Sequence, residues 1–203
     1  MARVRRPEPA RVAALVLLGA LSACRSLPPA ATTFSTWSER CAALTAREGY
    51  SFSGRIAARS GGTGFSAGID WRQQGGIGEA TLRGPLGVGG VRARIAADGV
   101  QILDAGGQPL PGAAGDDALR ELLGFTPPLA ELRYWLLACA APGSPAAETA
   151  DEVQRLASLE QSGWRLEYPQ YQAQSAPYTL PARIRVRRGE DSLQLAISRW
   201  TLR

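Results

Sequence analysis

The sequence has no histidine, no lysine, no methionine beyond the initiator, and only three cysteines among 203 residues. Without histidine the commonest general base and the commonest metal ligand are both missing, and three thiols cannot build a four-thiolate zinc site. Most hydrolase and metalloenzyme readings fall with them, so neither a catalytic residue nor a metal or cofactor is expected. Long apolar runs are missing too. The stretch from Val12 to Leu21 is too short for a bilayer span, which needs ~20 residues. All basic residues being arginine, we read that bias as codon usage rather than chemistry. What remains is ordinary for one globular domain: 45% hydrophobic and 20% charged, in a chain long enough to bury roughly 70% of its unfolded surface.

The amino terminus reads as an address. Arg3, Arg5, Arg6 and Arg11 precede the apolar run, and small residues follow it, which is the basic, apolar, cleavable layout of a secretory signal over residues 1–23. Directly after stands Leu21-Ser22-Ala23-Cys24, a tetrapeptide that resembles the bacterial lipobox, with Cys24 as the lipidated residue. Two or three acyl chains on Cys24 anchor a protein firmly where one is marginal. Arg25 stands where an aspartate would favour retention at the inner membrane, so the expected location is the periplasmic face of the outer membrane. Removal of the signal takes away four arginines and Glu8, and the net charge falls from +5 to +2. No Lys/Arg cluster with interleaved aromatics is left to make a phosphate footprint, which excludes nucleic acid as a partner. Cys41 and Cys139 remain in an oxidising compartment, where they either pair or serve as small buried residues; the sequence leaves both open.

Residues 24–34 form a Pro/Ala/Thr tether, and a domain over 35–203 follows. Thr36 and Glu39 have capping-box spacing, and Trp37, Cys41 and Leu44 make one apolar stripe, so a helix starts there. From Tyr50 the period changes to two. Phe65, Ala67, Ile69 and Trp71 alternate with polar or small neighbours, as do Val91, Ala93 and Ile95 with Arg92 and Arg94. Gly/Pro clusters at 60–64, 74–78, 84–90 and 105–112 punctuate a meander of about five antiparallel strands. Asp116-Asp117 then caps a short helix over 118–123, and Pro127-Pro128 opens a second over 129–138, apolar around a broad arc. After a loop over 140–147, alternation returns over 153–160, 164–168, 183–188 and 192–202. Nine or ten strands with helices in the middle predict a mainly β, α+β fold: a strongly curved antiparallel sheet, or incomplete barrel, with helices covering its concave side.

The chemical motifs are weak. Gly64-Phe65-Ser66-Ala67-Gly68 spells the nucleophile elbow, but it lies inside a strand pattern, no helix follows and there is no histidine base. No dinucleotide fingerprint or phosphate loop is spelled. Trp37, Phe65, Trp71, Trp135, Trp164 and Trp200 all fall on the buried parity of their segments. One segment departs from a simple core: Gly84-Pro85-Leu86-Gly87 places an apolar side chain on a tight turn, where polar residues are usual, and so points to membrane or partner contact.

Taken in order, Trp37, Gly54-Arg55-Ile56-Ala57, Trp71-Arg72-Gln73, Gly84-Pro85-Leu86-Gly87, Leu123-Gly124, Pro127-Pro128-Leu129, Leu132-Arg133-Tyr134-Trp135-Leu136, Gln161-Ser162-Gly163-Trp164, Tyr168, Leu180-Pro181 and Trp200 resemble the LolB family of outer-membrane lipoprotein receptors. Ala138 departs from the glycine that often closes the tryptophan helix in that family. The resemblance implies an incomplete barrel enclosing an apolar cavity. That cavity would accept lipoprotein acyl chains from the periplasmic carrier LolA, and the receptor, acting as a monomer, would insert the cargo into the inner leaflet of the outer membrane. Pro85 and Leu86 match the family's insertion loop. The alternation then assigns Ile56, Phe65, Ile69, Trp71, Ile95 and Ile102 to the sheet side of the cavity, and Leu132, Trp135 and Leu136 to a helical lid. The competing reading is another outer-membrane lipoprotein, an envelope-assembly scaffold whose interior is an ordinary packed core.

Overall fold

The computed structural model describes residues 34–84, 90–96, 99–104, 106–114, 117, 120, 124–173 and 177–203; Cys24, Pro85 and Leu86 lie outside them. A helix, α1 (Trp37–Thr45), leads into six strands: β1 (Gly49–Ser60), β2 (Thr63–Gln74), β3 (Ile77–Arg83), β4 (Gly90–Ala96), β5 (Gly99–Leu103) and β6 (Pro109–Ala114). The helix α2 (Leu129–Trp135) follows, and then five more strands: β7 (Ala146–Ala150), β8 (Leu156–Gln161), β9 (Trp164–Tyr171), β10 (Pro181–Arg188) and β11 (Asp191–Leu202). They form one antiparallel sheet in the order β6-β5-β4-β3-β2-β1-β11-β10-β9-β8-β7. Chain neighbours pair throughout, and the two meanders join where the first strand meets the last. The sheet is curved and unclosed, with β6 and β7 as its edges.

The expected capping box is present: Glu39 N–H donates to Thr36 Oγ1 at 3.1 Å, and Thr36 N–H to the Glu39 carboxylate at 3.3 Å. Alternation decides which face is buried. Ile56, Ile69, Trp71, Ala93, Ile184 and Val186 face inward, and Arg55, Arg72, Arg92 and Arg185 lie on the other parity. In β11 the buried parity changes from Leu193, Leu195 and Ile197 to Trp200, and the pairing shows why. Ser53 faces Arg199 and Gly54 faces Ile197, so Ser198 is a bulge residue, and its hydroxyl donates to the Ser53 carbonyl at 2.9 Å. The bulge presses the strands together at Gly54, where a Cβ would lie 2.3 Å from the Ala196 carbonyl oxygen. Glycine is required there by close backbone approach.

The structure corrects four expectations. The described residues form eleven strands where nine or ten were expected, because β6 and β7 carry no alternating pattern. β6 runs through a Gly/Pro cluster read as a turn, which an edge strand tolerates because one side of its backbone needs no partner. The eighth strand starts at Leu156, not Val153. Val153 is exposed in a turn in which the Asp151 carboxylate accepts from the Val153 and Arg155 N–H groups at 3.0 and 2.8 Å. The second helix stops at Trp135 instead of continuing to 138, since Ala138 takes the left-handed conformation at φ 56°. The expected helix over 118–123 falls almost wholly outside the described residues. Its predicted stop is visible: Gly124 has φ 82° and donates to the Arg120 carbonyl at 2.8 Å. The Gly64–Gly68 segment is interior to β2, with no elbow.

Candidate functional site

Helix α2 crosses the concave face of the sheet and divides it into two unlike halves. On the side of β8 to β10, Leu159, Trp164, Leu166 and Ile184 are buried into a packed core. On the other side lies an apolar cavity of about 70 Å³. Phe52 and Ile56 of β1, Ile69 and Trp71 of β2, and Leu193 and Leu195 of β11 line it, with Ala80, Leu82, Ala93 and Ile95 from β3 and β4. Pro127, Leu129, Leu132 and Leu136 close it from the helix side. Alanines at 80 and 93 leave the space, because larger side chains on those inward positions would fill it.

Of the residues assigned from sequence, Ile56, Ile69, Trp71, Ile95, Leu132 and Leu136 meet around this cavity. Three others lie elsewhere on the same concave surface. Phe65 is half-buried nearer the β1–β2 turn, and Ile102 of β5 is buried opposite Ala93. Trp135 faces the packed half, where its indole Nε1–H donates to Gln161 Oε1 at 2.8 Å. Spacing explains the split: Leu132 and Leu136 are four apart and share a face, while Trp135 is one step off it. Phe52, Ala80, Leu82, Ala93, Pro127, Leu129, Leu193 and Leu195 were not assigned from sequence; of these, Ala93, Leu129, Leu193 and Leu195 lie in segments whose apolar pattern was read.

The two ends of α2 are held differently. The C-terminal end is fixed to α1. Cys41 and Cys139 form a disulfide with Cα atoms 5.7 Å apart, which answers the pairing that the sequence left open. Trp37 Nε1–H donates to the Ala138 carbonyl at 2.8 Å. Arg40, 2% exposed, sends its guanidinium to the carbonyls of Leu137 at 2.8 Å, Thr179 at 2.9 Å and Tyr178, and lies 4.0 Å over the Trp37 ring. Burial pulls its pKa down to about 10. From the sheet, Tyr50 and Tyr168 hydroxyls donate to the carbonyls of Arg133 at 2.8 Å and Trp135 at 2.9 Å. The N-terminal end, over the cavity, is capped by Pro128 with no side-chain hydrogen bond.

A second space, a cleft of about 340 Å³, shares Trp71, Ile95 and Leu129 with the cavity and adds Gln73, Gly78 and Arg133. It reaches the surface at Gly76 and Ala130. Among the described residues no cluster of three or more Cys, Asp or Glu converges as a metal site, and no helix is long and apolar enough to cross a membrane.

Comparison with known proteins bears on this arrangement. The profile of the family described as "Outer membrane lipoprotein LolB" matches residues 48–200. A protein of Alkalilimnicola ehrlichii named "Outer-membrane lipoprotein LolB" is 34% identical over 196 residues, covering 95% of both chains. A namesake from Nitrosococcus oceani is 31% identical over 93% of this chain and 94% of its own. Among solved structures, the fold is similar to that of a LolA superfamily protein from Nitrosomonas europaea, with a TM-score of 0.53 at 10% identity, over 84% of this chain and 94% of that one.

Proposed function

Because this chain belongs to the LolB family of outer-membrane lipoproteins, with a part in lipoprotein localisation rather than catalysis, we propose that it receives lipoproteins from the carrier LolA by holding their acyl chains in the concave cavity. Residues 1–23 would be the export signal, Cys24 the lipidated anchor, and 24–34 the tether. The receiver would act as a monomer and release cargo into the inner leaflet of the outer membrane, with Pro85 and Leu86 as the membrane-insertion loop. The observation that carries this reading is the wholly apolar cavity beneath α2 in a chain of this family.

Magnitudes set the mechanism. A buried methylene is worth ~0.8 kcal/mol, so a long acyl chain crossing bare water would face a cost of roughly 10 kcal/mol. A covered route is needed. A cavity of about 70 Å³ is well below the roughly 300–1,000 Å³ of sites that enclose sizeable ligands. To admit a chain, α2 would move. Its C-terminal end is bonded to α1 and to two tyrosines, so opening falls to the uncapped N-terminal end carrying Pro127, Leu129 and Leu132. With no nucleotide motif, transfer runs downhill, from carrier to cavity to bilayer.

The test follows labelled lipoprotein from loaded LolA onto the full chain embedded in outer-membrane vesicles. Ile69→Asp, which places a charge against the cavity wall, should cut cargo acceptance at least tenfold while far-ultraviolet circular dichroism stays unchanged. Undiminished transfer by a folded Ile69→Asp protein would remove the cavity from the pathway.

A further inference from the structure

Core and cavity account for the inward parity of the strands; the outward parity carries a charge pattern that neither uses. Register places Arg183 of β10, Ala196 of β11, Arg55 of β1, Gly68 of β2 and Arg83 of β3 in one row across five adjacent strands. A second row, nearer the turns, runs from Arg165 of β9 through Arg187, Ser192 and Arg59 to Gly64. From β10 to β3, arginine-bearing strands thus alternate with strands of mostly small residues. The arginines are scattered along the chain and only strand pairing gathers them, which is why no cluster shows in the sequence. Gly64, Ser66 and Gly68, which spell a nucleophile elbow, are the floor between them. A Cβ at Gly64 would lie 2.9 Å from Arg59 Cγ.

Folding does not explain the pattern. Arg187 stands directly opposite Arg165, and like charges so placed destabilise a sheet. Arg83 pairs with Asp70, Arg165 with Glu160 at 2.8 Å, and Arg185 reaches Glu167 at 3.7 Å. Arg55, Arg59 and Arg187 are exposed and have no ion pair among the described residues. Arg188 and Asp191 offset each other at 3.5 Å, and Glu190 is exposed in the turn between β10 and β11. Eight arginines against Asp70, Glu160, Glu167, Glu190 and Asp191 leave this end of the sheet at +3, while the whole chain after residue 23 carries +2.

The rows lie toward the end of the sheet where four hairpins turn: at Gly61-Gly62, between Arg83 and Gly90, at Ser162-Gly163 and at Gly189-Glu190. With glycine, alanine and serine between them, the guanidinium heads stand above a low floor, open to a broad surface. No aromatic ring stands among them on the outward parity, so a platform for stacked bases is missing. The chain belongs to a family of outer-membrane lipoproteins. From Cys24 to Phe34 there are ten residues, at most ~35 Å of extended chain, so an anchored domain stays within reach of its bilayer.

We propose that this arginine face docks on the anionic phospholipid headgroups of the membrane that holds the anchor, and so turns the hairpin end of the sheet toward the leaflet. The inference rests on the reading of Cys24 as the lipid anchor. Guanidinium groups take phosphate oxygens in pairs, and basic residues beside an anionic surface add affinity that salt screens. The same orientation brings Arg83 and Gly90, the ends of β3 and β4, to the membrane.

The experiment uses the processed, acylated chain in vesicles of phosphatidylcholine, alone or mixed with phosphatidylglycerol. A bimane label is placed on Ser66→Cys, in the floor between the arginines, or on Gln74→Cys, at the opposite end of β2. Each is the free thiol of its chain, since Cys41 and Cys139 are bonded to each other and Cys24 carries the lipid. A nitroxide-headgroup lipid should quench the Ser66 label in the phosphatidylglycerol vesicles and not in phosphatidylcholine alone. High salt should restore its fluorescence, and the Gln74 label should stay bright throughout. Arg59→Gln with Arg187→Gln should lower the ratio of docked to undocked chain about 25-fold, at about fivefold for each arginine, with an unchanged thermal melt. Equal quenching in both vesicles, or quenching unchanged in the double variant, overturns the inference and leaves the anchor standing. A Ser66 label shielded by added LolA but not by phosphatidylglycerol also overturns it, and assigns the face to a protein partner. Failure of the acylated chain to float with either vesicle overturns the anchor reading as well.

Discussion

Arg40 carries a buried positive charge whose hydrogen bonds go to the carbonyls of Leu137, Tyr178 and Thr179. A cation out of water is costly unless its donors are all matched, and the lowered pKa, about 10, reflects that burial. The planar fork of the guanidinium reaches all three oxygens at once, while its face covers Trp37. Arg40→Met should lower unfolding stability by about 3 kcal/mol, because buried carbonyls left without donors cost ~1–3 kcal/mol each before water enters. Arg40→Lys should recover little, since one ammonium cannot span the fork. A urea titration shifting by less than about 1 kcal/mol would mean that water replaces the guanidinium without loss. This role was not legible in the sequence. Arg40 stands between Trp37 and Cys41 as an unremarkable polar residue, and its acceptors lie 97 to 139 residues away. The Thr36–Glu39 box three residues apart was legible, because both halves of that interaction are local.

At the scale of elements, the disulfide joins α1 to the turn after α2 across 98 residues. Closing a loop of that length in the unfolded chain is worth about 4.7 kcal/mol in the chain-entropy account. The Cys41→Ala, Cys139→Ala double variant should lose about that much, and dithiothreitol should destabilise the native chain but leave the variant unchanged. An equal response of both to reductant would assign the effect to something other than this bridge. The helix it holds was placed correctly at Leu129 by its two prolines, yet was read too long at the far end. Ala138 adopts φ 56° without being glycine, and Cys139 N–H donates back to the Tyr134 carbonyl at 3.1 Å to close the turn. A residue forced left-handed by its tertiary bonds gives no local stop signal. Edge strand β7, Ala-Ala-Glu-Thr-Ala and exposed throughout, carries no periodicity because neither of its faces meets the core. Ile69 and Trp71 were readable as cavity residues because inward parity is a local property. The division of the concave face by α2 was not, and Trp135 shows it: its direction depends on where the helix lies, not on its own pattern.

For the molecule as a whole, three tyrosines tie distant parts together. Tyr50 and Tyr168 suspend α2 from the two meanders, and the Tyr171 hydroxyl donates to the Leu156 carbonyl at 2.5 Å. Burial raises the pKa of all three phenols above the ordinary value near 10. An unfolded phenol ionises at ~10 while the folded one stays protonated, so above that pH the unfolded chain binds fewer protons and gains ground. The stabilising contribution of these groups is complete below about pH 10 and is lost as pH rises beyond it. Arg40 works the other way. Its folded pKa of about 10 lies below the ordinary guanidinium value, so the unfolded chain keeps that proton longer and stability tends to rise with pH beyond that point. Three phenols oppose one guanidinium, and the net expected change above pH 10 is destabilisation. Denaturant midpoints measured upward from pH 9 should fall steeply once past pH 10, and Tyr50→Phe with Tyr168→Phe should flatten that fall. In absorbance at 295 nm, three of the five tyrosines should ionise together with the loss of near-ultraviolet circular dichroism. Ionisation of all five at the free-phenol pH in a chain that stays folded would show that water reaches the hydroxyls holding α2, and that the helix is open along its whole length rather than at its N-terminal end.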